Sequence, residues 1–174
     1  MKSLFLFAAT ALLSVGLVSA QSPKATESAT IGGKSITIKY AAPSVRSRQI
    51  FGPGGLISKD PNYPVWRAGA NNATALHTDA DLDVAGLAVP KGDYTVYVNV
   101  EKPDAWELII NKQTGQWGLT YDKAQDLGRV KMTMTKPAST VEVMKYTITD
   151  LGGNKAKLEL AWEAHVASVA VTVK

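Results

Sequence analysis

The chain has 174 residues, no cysteine and a formal net charge of +4. Without cysteine it has neither a disulfide framework nor a lipid-modified cysteine anchor. Its small basic excess is spread along the sequence rather than clustered, which argues against a nucleic-acid partner.

Residues 1–20 read as a secretory signal peptide. Lys2 gives the positive start, Leu4 to Val18 form an apolar run, and Val18-Ser19-Ala20 place small residues at the cleavage site. The run is short for a membrane span and no second stretch is long enough, so no transmembrane segment is expected after cleavage. The expected location is secreted or periplasmic. Cleavage would leave 154 residues carrying 18 basic and 15 acidic side chains. That length suits one domain, whose core buries roughly 70% of the extended surface. Residues 21–28, small and polar with one proline, read as a disordered leader, and residues 29–174 as the domain.

Alternation of period two then dominates. Ile36, Ile38 and Tyr40 alternate with Thr37 and Lys39, and Tyr94, Val96, Val98 and Val100 with Thr95, Tyr97 and Asn99. Val130, Met132 and Met134 form a third run, Leu158, Leu160 and Trp162 a fourth, and Val169, Val171 and Val173 the last. Such spacing sets one face of a strand on a core. Turn chemistry falls between the runs, at Gly32-Gly33, Pro90-Lys91-Gly92, Thr114-Gly115 and Gly152-Gly153-Asn154. No window sustains helical periodicity. The expectation is an all-β fold of eight or nine strands, a single antiparallel β-sandwich of jelly-roll or immunoglobulin-like type, with a β-barrel as the alternative.

Between Pro43 and Thr78 the alternation gives way to a glycine- and proline-broken block that concentrates Arg46, Arg48, Trp66, Arg67, Asn71, Asn72 and His77. Long ordered loops on a compact domain are more often functional than decorative. The segments Pro43-Ser44-Val45-Arg46-Ser47-Arg48, Val65-Trp66-Arg67-Ala68-Gly69-Ala70-Asn71-Asn72-Ala73-Thr74, Asn111-Lys112 and Trp117-Gly118 together resemble a bacterial exported-protein family catalogued only as a domain of unknown function. The resemblance runs from about Thr30 to the C-terminus. The family pattern has a glycine between the two arginines, where this chain has Ser47, and the Gly52–Pro64 loop differs by an extra Gly-Pro-Gly-Gly segment. The resemblance implies a bacterial envelope or secreted location and brings no activity with it.

Three constellations carry chemistry. Arg46, Arg48 and Arg67, with Lys112 as a fourth member, match carboxylates, sulfates or phosphates; the competing role is to pin the loop to the sheet through backbone carbonyls. Trp66, Asn71, Asn72, Asn111, Trp117 and Tyr121 mix indoles with amides, as suits a sugar ring. Trp66 and Trp117 lie beside turns and are the candidates for exposure, whereas Trp106 and Trp162 are in phase with apolar neighbours and belong to the core. His77, Asp79, Asp81 and Asp83 would share a face if extended, a weak candidate for metal binding because the run lacks the glycine and distal glutamate of a calcium loop. No cofactor is expected.

The leading functional expectation is a non-catalytic module for a polar or anionic small molecule or glycan. The alternative is a hydrolase or lyase with His77 as general base and Arg46, Arg48 or Arg67 stabilising negative charge. A structural protein pairing through strand edges is disfavoured by Lys131, Lys145 and Lys157, which protect such edges.

Overall fold

The computed structural model describes residues 21–174; the expected signal peptide lies outside the described residues. Two antiparallel sheets face each other. The first is ordered β1 (Lys24–Ile31), β2 (Lys34–Ala41), β4 (Thr74–Thr78), β7 (Gly92–Asn99), β8 (Glu107–Asn111) and β9 (Asp126–Lys131), with the short β3 (Val65–Trp66) also on β7. The second is ordered β11 (Val141–Gly152), β12 (Lys155–Glu163), β13 (His165–Val173), β5 (Leu82–Val84) and β6 (Leu87–Val89), with β10 (Thr133–Thr135) on β13. Neither sheet closes on itself, so the fold is a sandwich and not a barrel. Among the described residues there is no α-helix.

The alternating residues named above do what their spacing dictates. Ile36, Ile38, Tyr94, Val96, Val98, Leu158, Leu160, Trp162, Val169, Val171 and Val173 join one buried cluster between the sheets, and Tyr40 packs against it. The run Val130-Met132-Met134 is not one strand. Val130 ends in the first sheet, the Met132 N–H donates to the Trp106 carbonyl, and Met134 pairs with β13 in the second. Period two survives a strand that crosses between layers, because both layers present their apolar face to the same core.

The leader expected over residues 21–28 is mostly strand. β1 begins at Lys24 and pairs with β2 over its whole length, from Lys24↔Ala41 to Ile31↔Lys34. Its sequence, Lys-Ala-Thr-Glu-Ser-Ala-Thr-Ile, buries little apolar surface, and therefore its hydrophobic pattern is faint. Polar ties hold it instead: the Glu27 carboxylate accepts from the Ile148 N–H at 2.9 Å, and the Ser28 and Thr37 hydroxyls meet at 2.8 Å.

At one end of the core Phe51, Trp66, Trp106, Trp162 and His165 pack ring on ring, with Trp66 stacked on Trp162 and His165 on Trp106. Burial lowers the His165 pKa from its ordinary 6.5, opposed in part by the nearby Glu163 carboxylate. The unfolded chain therefore takes up this proton at a higher pH than the folded one. The His165 contribution to stability is whole above about 6.5 and declines as pH falls through that value toward the folded pKa. His77, discussed below, acts in the opposite sense, so the comparison must be between variants. The fall in melting temperature from pH 7.5 to pH 5 should be smaller in His165→Phe than in the parent. An equal fall in both would show that His165 carries no acid sensitivity.

Candidate functional site

β3 and β4 lie on the same edge of β7: Val65 and Trp66 pair with Asn99 and Val98, and Thr74 resumes the pairing at Val96. Only Tyr97 separates the two partners on β7, yet residues 67–73 intervene on the other strand. The chain must therefore leave the sheet and return. This excursion is the Arg67–Ala73 half of the motif seen in the sequence.

Its base is buried and fully used. The Ala68 carbonyl accepts from both the Thr74 hydroxyl (2.9 Å) and the Tyr146 hydroxyl (3.0 Å). The Ala70 N–H donates to the Ala41 carbonyl. Its tip is zipped to the loop between β8 and β9. The Gly118 N–H donates to the Asn71 carbonyl, the Ala73 N–H donates to the Gln116 carbonyl, and Asn72 and Trp117 form an antiparallel bridge. Residues directly opposite in such a bridge project on the same side. Trp117 is thereby set beside Asn72, with half of its surface exposed.

The β8–β9 loop is itself held down. The Gln116 side-chain amide donates to the Thr95 and Tyr97 hydroxyls at 3.2 and 3.1 Å. The Asn62 amide donates to the Leu119 carbonyl and the Tyr97 hydroxyl to the Thr120 carbonyl. Below Trp117 lies Arg67, its guanidinium 5.9 Å from the indole centroid and 3.8 Å from the buried Asp60 carboxylate. One face of the indole is thus occupied by a cation and held in orientation.

The Trp-Gly pair has a steric reason. A Cβ at Gly118 would stand 2.3 Å from the Arg67 Cδ and 2.7 Å from the Asn71 carbonyl oxygen. The arginine stem can yield, but the carbonyl belongs to the zipped backbone. Gly118→Ala should therefore cost about 1–3 kcal/mol, as overpacking does. It should also pull the Trp117 strand away from Asn71. Urea unfolding measures the first effect, and faster hydrogen exchange of the Gly118 and Ala73 amides, which close the zipper, the second; wild-type stability would refute the argument.

Next to this zipper lies an open groove of about 530 Å³, within the size range of ligand clefts. Its floor is a register row across the outer face of the first sheet, Thr26–Lys39–Ala75, where Ala75 leaves room. Trp117, Gln116, Asn71 and Asn72 form one wall, and Lys24 stands on the far side. The Asn71 and Asn72 side-chain amides make no hydrogen bond among the described residues. A second void, about 20 Å³ between the sheets, has a wholly apolar lining and no use for a polar ligand.

Of the residues singled out in the sequence, Asn71, Asn72 and Trp117 line the groove, and Arg67 supports it from below. The others are elsewhere. Trp66, expected to be exposed, is 1% exposed in the core, because its strand alternation points it inward while Val65 faces out. The Arg46-Ser47 pair forms the left-handed tip of a turn closed by the Arg48 N–H on the Val45 carbonyl, with φ of 50° and 56°. That left-handed geometry is one glycine adopts most readily, and here Arg46 and Ser47 adopt it. Arg48 folds back on this turn, donating to the Val45 and Ser44 carbonyls, and the turn is fixed to Glu142. The arginines therefore do not converge.

Asn111, expected as a ligand contact, is fully buried and donates to the Asp122 carbonyl and the Asp126 carboxylate. Lys112 is exposed outside the groove lining. The Tyr121 hydroxyl donates to Asp126 at 2.7 Å and accepts from Arg129, and its pKa is pushed up to about 12, first by burial and then by Asp126. Asn111 and Tyr121 thus brace the β8–β9 loop.

His77 lies two residues beyond Ala75 on β4, with Nδ1 2.8 Å from Asp93 and Nε2 3.0 Å from Asp79. Hydrogen bonds to Asp93 and then Asp79 raise its pKa above 6.5. Carboxylates at both nitrogens favour the protonated ring, the form that has no lone pair to act as a base. Asp81 and Asp83 do not join it. Asp81 accepts from the Lys91 N–H and Asp83 from the Gly86 N–H, and that second bond holds the Asp83 pKa below its ordinary value. Among the described residues no group of three or more such side chains is placed to hold a metal ion.

The groove also contains residues that the sequence did not flag. Lys39 carried a signal, since its alternation with Ile36 and Ile38 puts it on the outer face. Lys24 was hidden in the supposed leader, and Gln116 had no signal at all.

The family model for a protein of unknown function, DUF2911, matches residues 22–171, and the chain belongs to that family. No curated protein and no solved structure matches it.

Proposed function

We propose that this DUF2911 member is a non-catalytic binding module, exported to the periplasm or beyond, that holds a saccharide or similarly hydroxyl-rich small molecule in the groove beside Trp117. One observation carries the reading: the Asn72–Trp117 bridge places an exposed indole next to two amide side chains that make no hydrogen bond among the described residues. An indole face stacks on the C–H face of a sugar ring, and amides supply both donors and acceptors for its hydroxyls. The Asn72–Trp117 wall is tied by backbone hydrogen bonds before any ligand arrives, which lowers the ordering cost of binding. The signal peptide expected over residues 1–20 accounts for export.

A thermal-shift panel of neutral oligosaccharides, uronates and inorganic phosphate tests this directly. A saturable rise in melting temperature is expected with at least one saccharide, weakened in Asn72→Ala and kept in Lys157→Gln. Lys157 lies in the second sheet, paired with Glu159 and remote from the groove lining. No rise with any saccharide would end the reading.

A further inference from the structure

The groove carries an uncompensated charge. Among the described residues its lining contains two lysines, Lys24 and Lys39, and no aspartate or glutamate. Lys39 rises from the floor between Thr26 and Ala75, its two register partners, neither of which can neutralise it. Among the described residues neither ammonium makes a hydrogen bond or an ion pair, whereas Lys157 and Lys174 each meet a carboxylate.

The acids closest in sequence or register are committed elsewhere. Glu27, next to Thr26, points to the opposite side of β1 and accepts from the Ile148 N–H. Asp93, on β7 opposite His77, and Asp79, just past the end of β4, are both bonded to His77. A cleft lined by one sign of charge concentrates ligands of the other sign.

We infer that the ligand is an anionic saccharide, with Lys39 meeting its acidic group while Trp117 stacks on the ring. This rests on the reading of the groove as a saccharide site and adds the charge of its occupant. The division of labour follows from the side chains. The indole and the amides fix where the ring sits. A lysine is a compact charge on a flexible stem and follows an acidic substituent without demanding one planar geometry, as the guanidinium fork would. Lys24, on the far side of the cleft, extends the positive field toward a second unit of the chain.

Calorimetric titration of the purified protein with trigalacturonate, a sulfated carrageenan tetrasaccharide and neutral galactotriose tests the inference. At low salt at least one anionic probe should bind about tenfold tighter than galactotriose, the scale of a charge-assisted hydrogen bond. That preference should shrink as salt approaches about 0.5 M, where screening is short-ranged. In Lys39→Gln the preference should largely vanish with affinity for galactotriose unchanged. The carboxylated and sulfated arms tell which anion is taken.

Equal binding of galactotriose and both anionic probes would overturn the inference and leave the saccharide site standing. A preference that survives in the Lys24→Gln/Lys39→Gln double variant would also overturn it. Failure of all three probes, together with an empty thermal-shift panel, would remove both readings.

Discussion

Trp117→Ala should abolish measurable saccharide binding while leaving the melting temperature within about 2 °C of the parent, the usual range for a surface substitution in a domain of this size. The indole is half exposed, so truncation opens no core cavity, and the backbone bonds that zip its strand to Asn71–Ala73 do not involve the side chain. What is lost is the stacking face and a contact with Arg67 worth about 0.5–1 kcal/mol at an exposed site. Stacking aromatics are the side chains on which small-ligand affinity concentrates. Trp117→Phe keeps a ring and should retain part of the affinity. An alanine variant that binds like the parent would show that the groove does not hold its ligand by stacking, and the module reading would lose its central contact.

The same residue shows how far sequence reasoning reached. The sandwich was legible because inward residues such as Val96, Val98, Leu158 and Leu160 recur every second position, and that periodicity is a property of the strand alone. β1 was not, because Lys24–Ile31 is held by its ladder to β2 and by Glu27 rather than by apolar burial. In the site, the Asn-Asn and Trp-Gly segments were found separately. That they meet depends on the pairing of Asn72 with Trp117, a contact across 45 residues that no local pattern encodes. Arg48 and Asn111 looked like ligand contacts because their chemistry suits both a ligand and a backbone carbonyl. Only the position of the carbonyls of Val45 and Asp122 decides between the two.

Trp66 was the other indole offered for exposure, and it supplies the contrast. Trp66→Ala should cost about 3–5 kcal/mol, the range for emptying an aromatic site in a packed core. For a domain of this size that is a fall in melting temperature of roughly 10 °C. Its ring is 1% exposed, stacks on Trp162 at 5.6 Å and meets Phe51 and Trp106 edge-on, so alanine would leave a void bounded by large, stiff side chains. β3 is only two residues long, and this ring anchors its inner face while Val65 packs on Tyr97 and Ile109 at the outer one. Its loss would loosen the start of the Arg67–Ala73 excursion as well. Trp66→Phe should be milder for a second reason: the Trp66 indole N–H is buried with no acceptor among the described residues, and phenylalanine removes that donor along with the volume. Urea unfolding of the two variants checks the order. A Trp66→Ala protein as stable as the parent would mean that the ring is not a core anchor, and with it would go the account of how the sheet throws the Asn71–Asn72 tip toward Trp117.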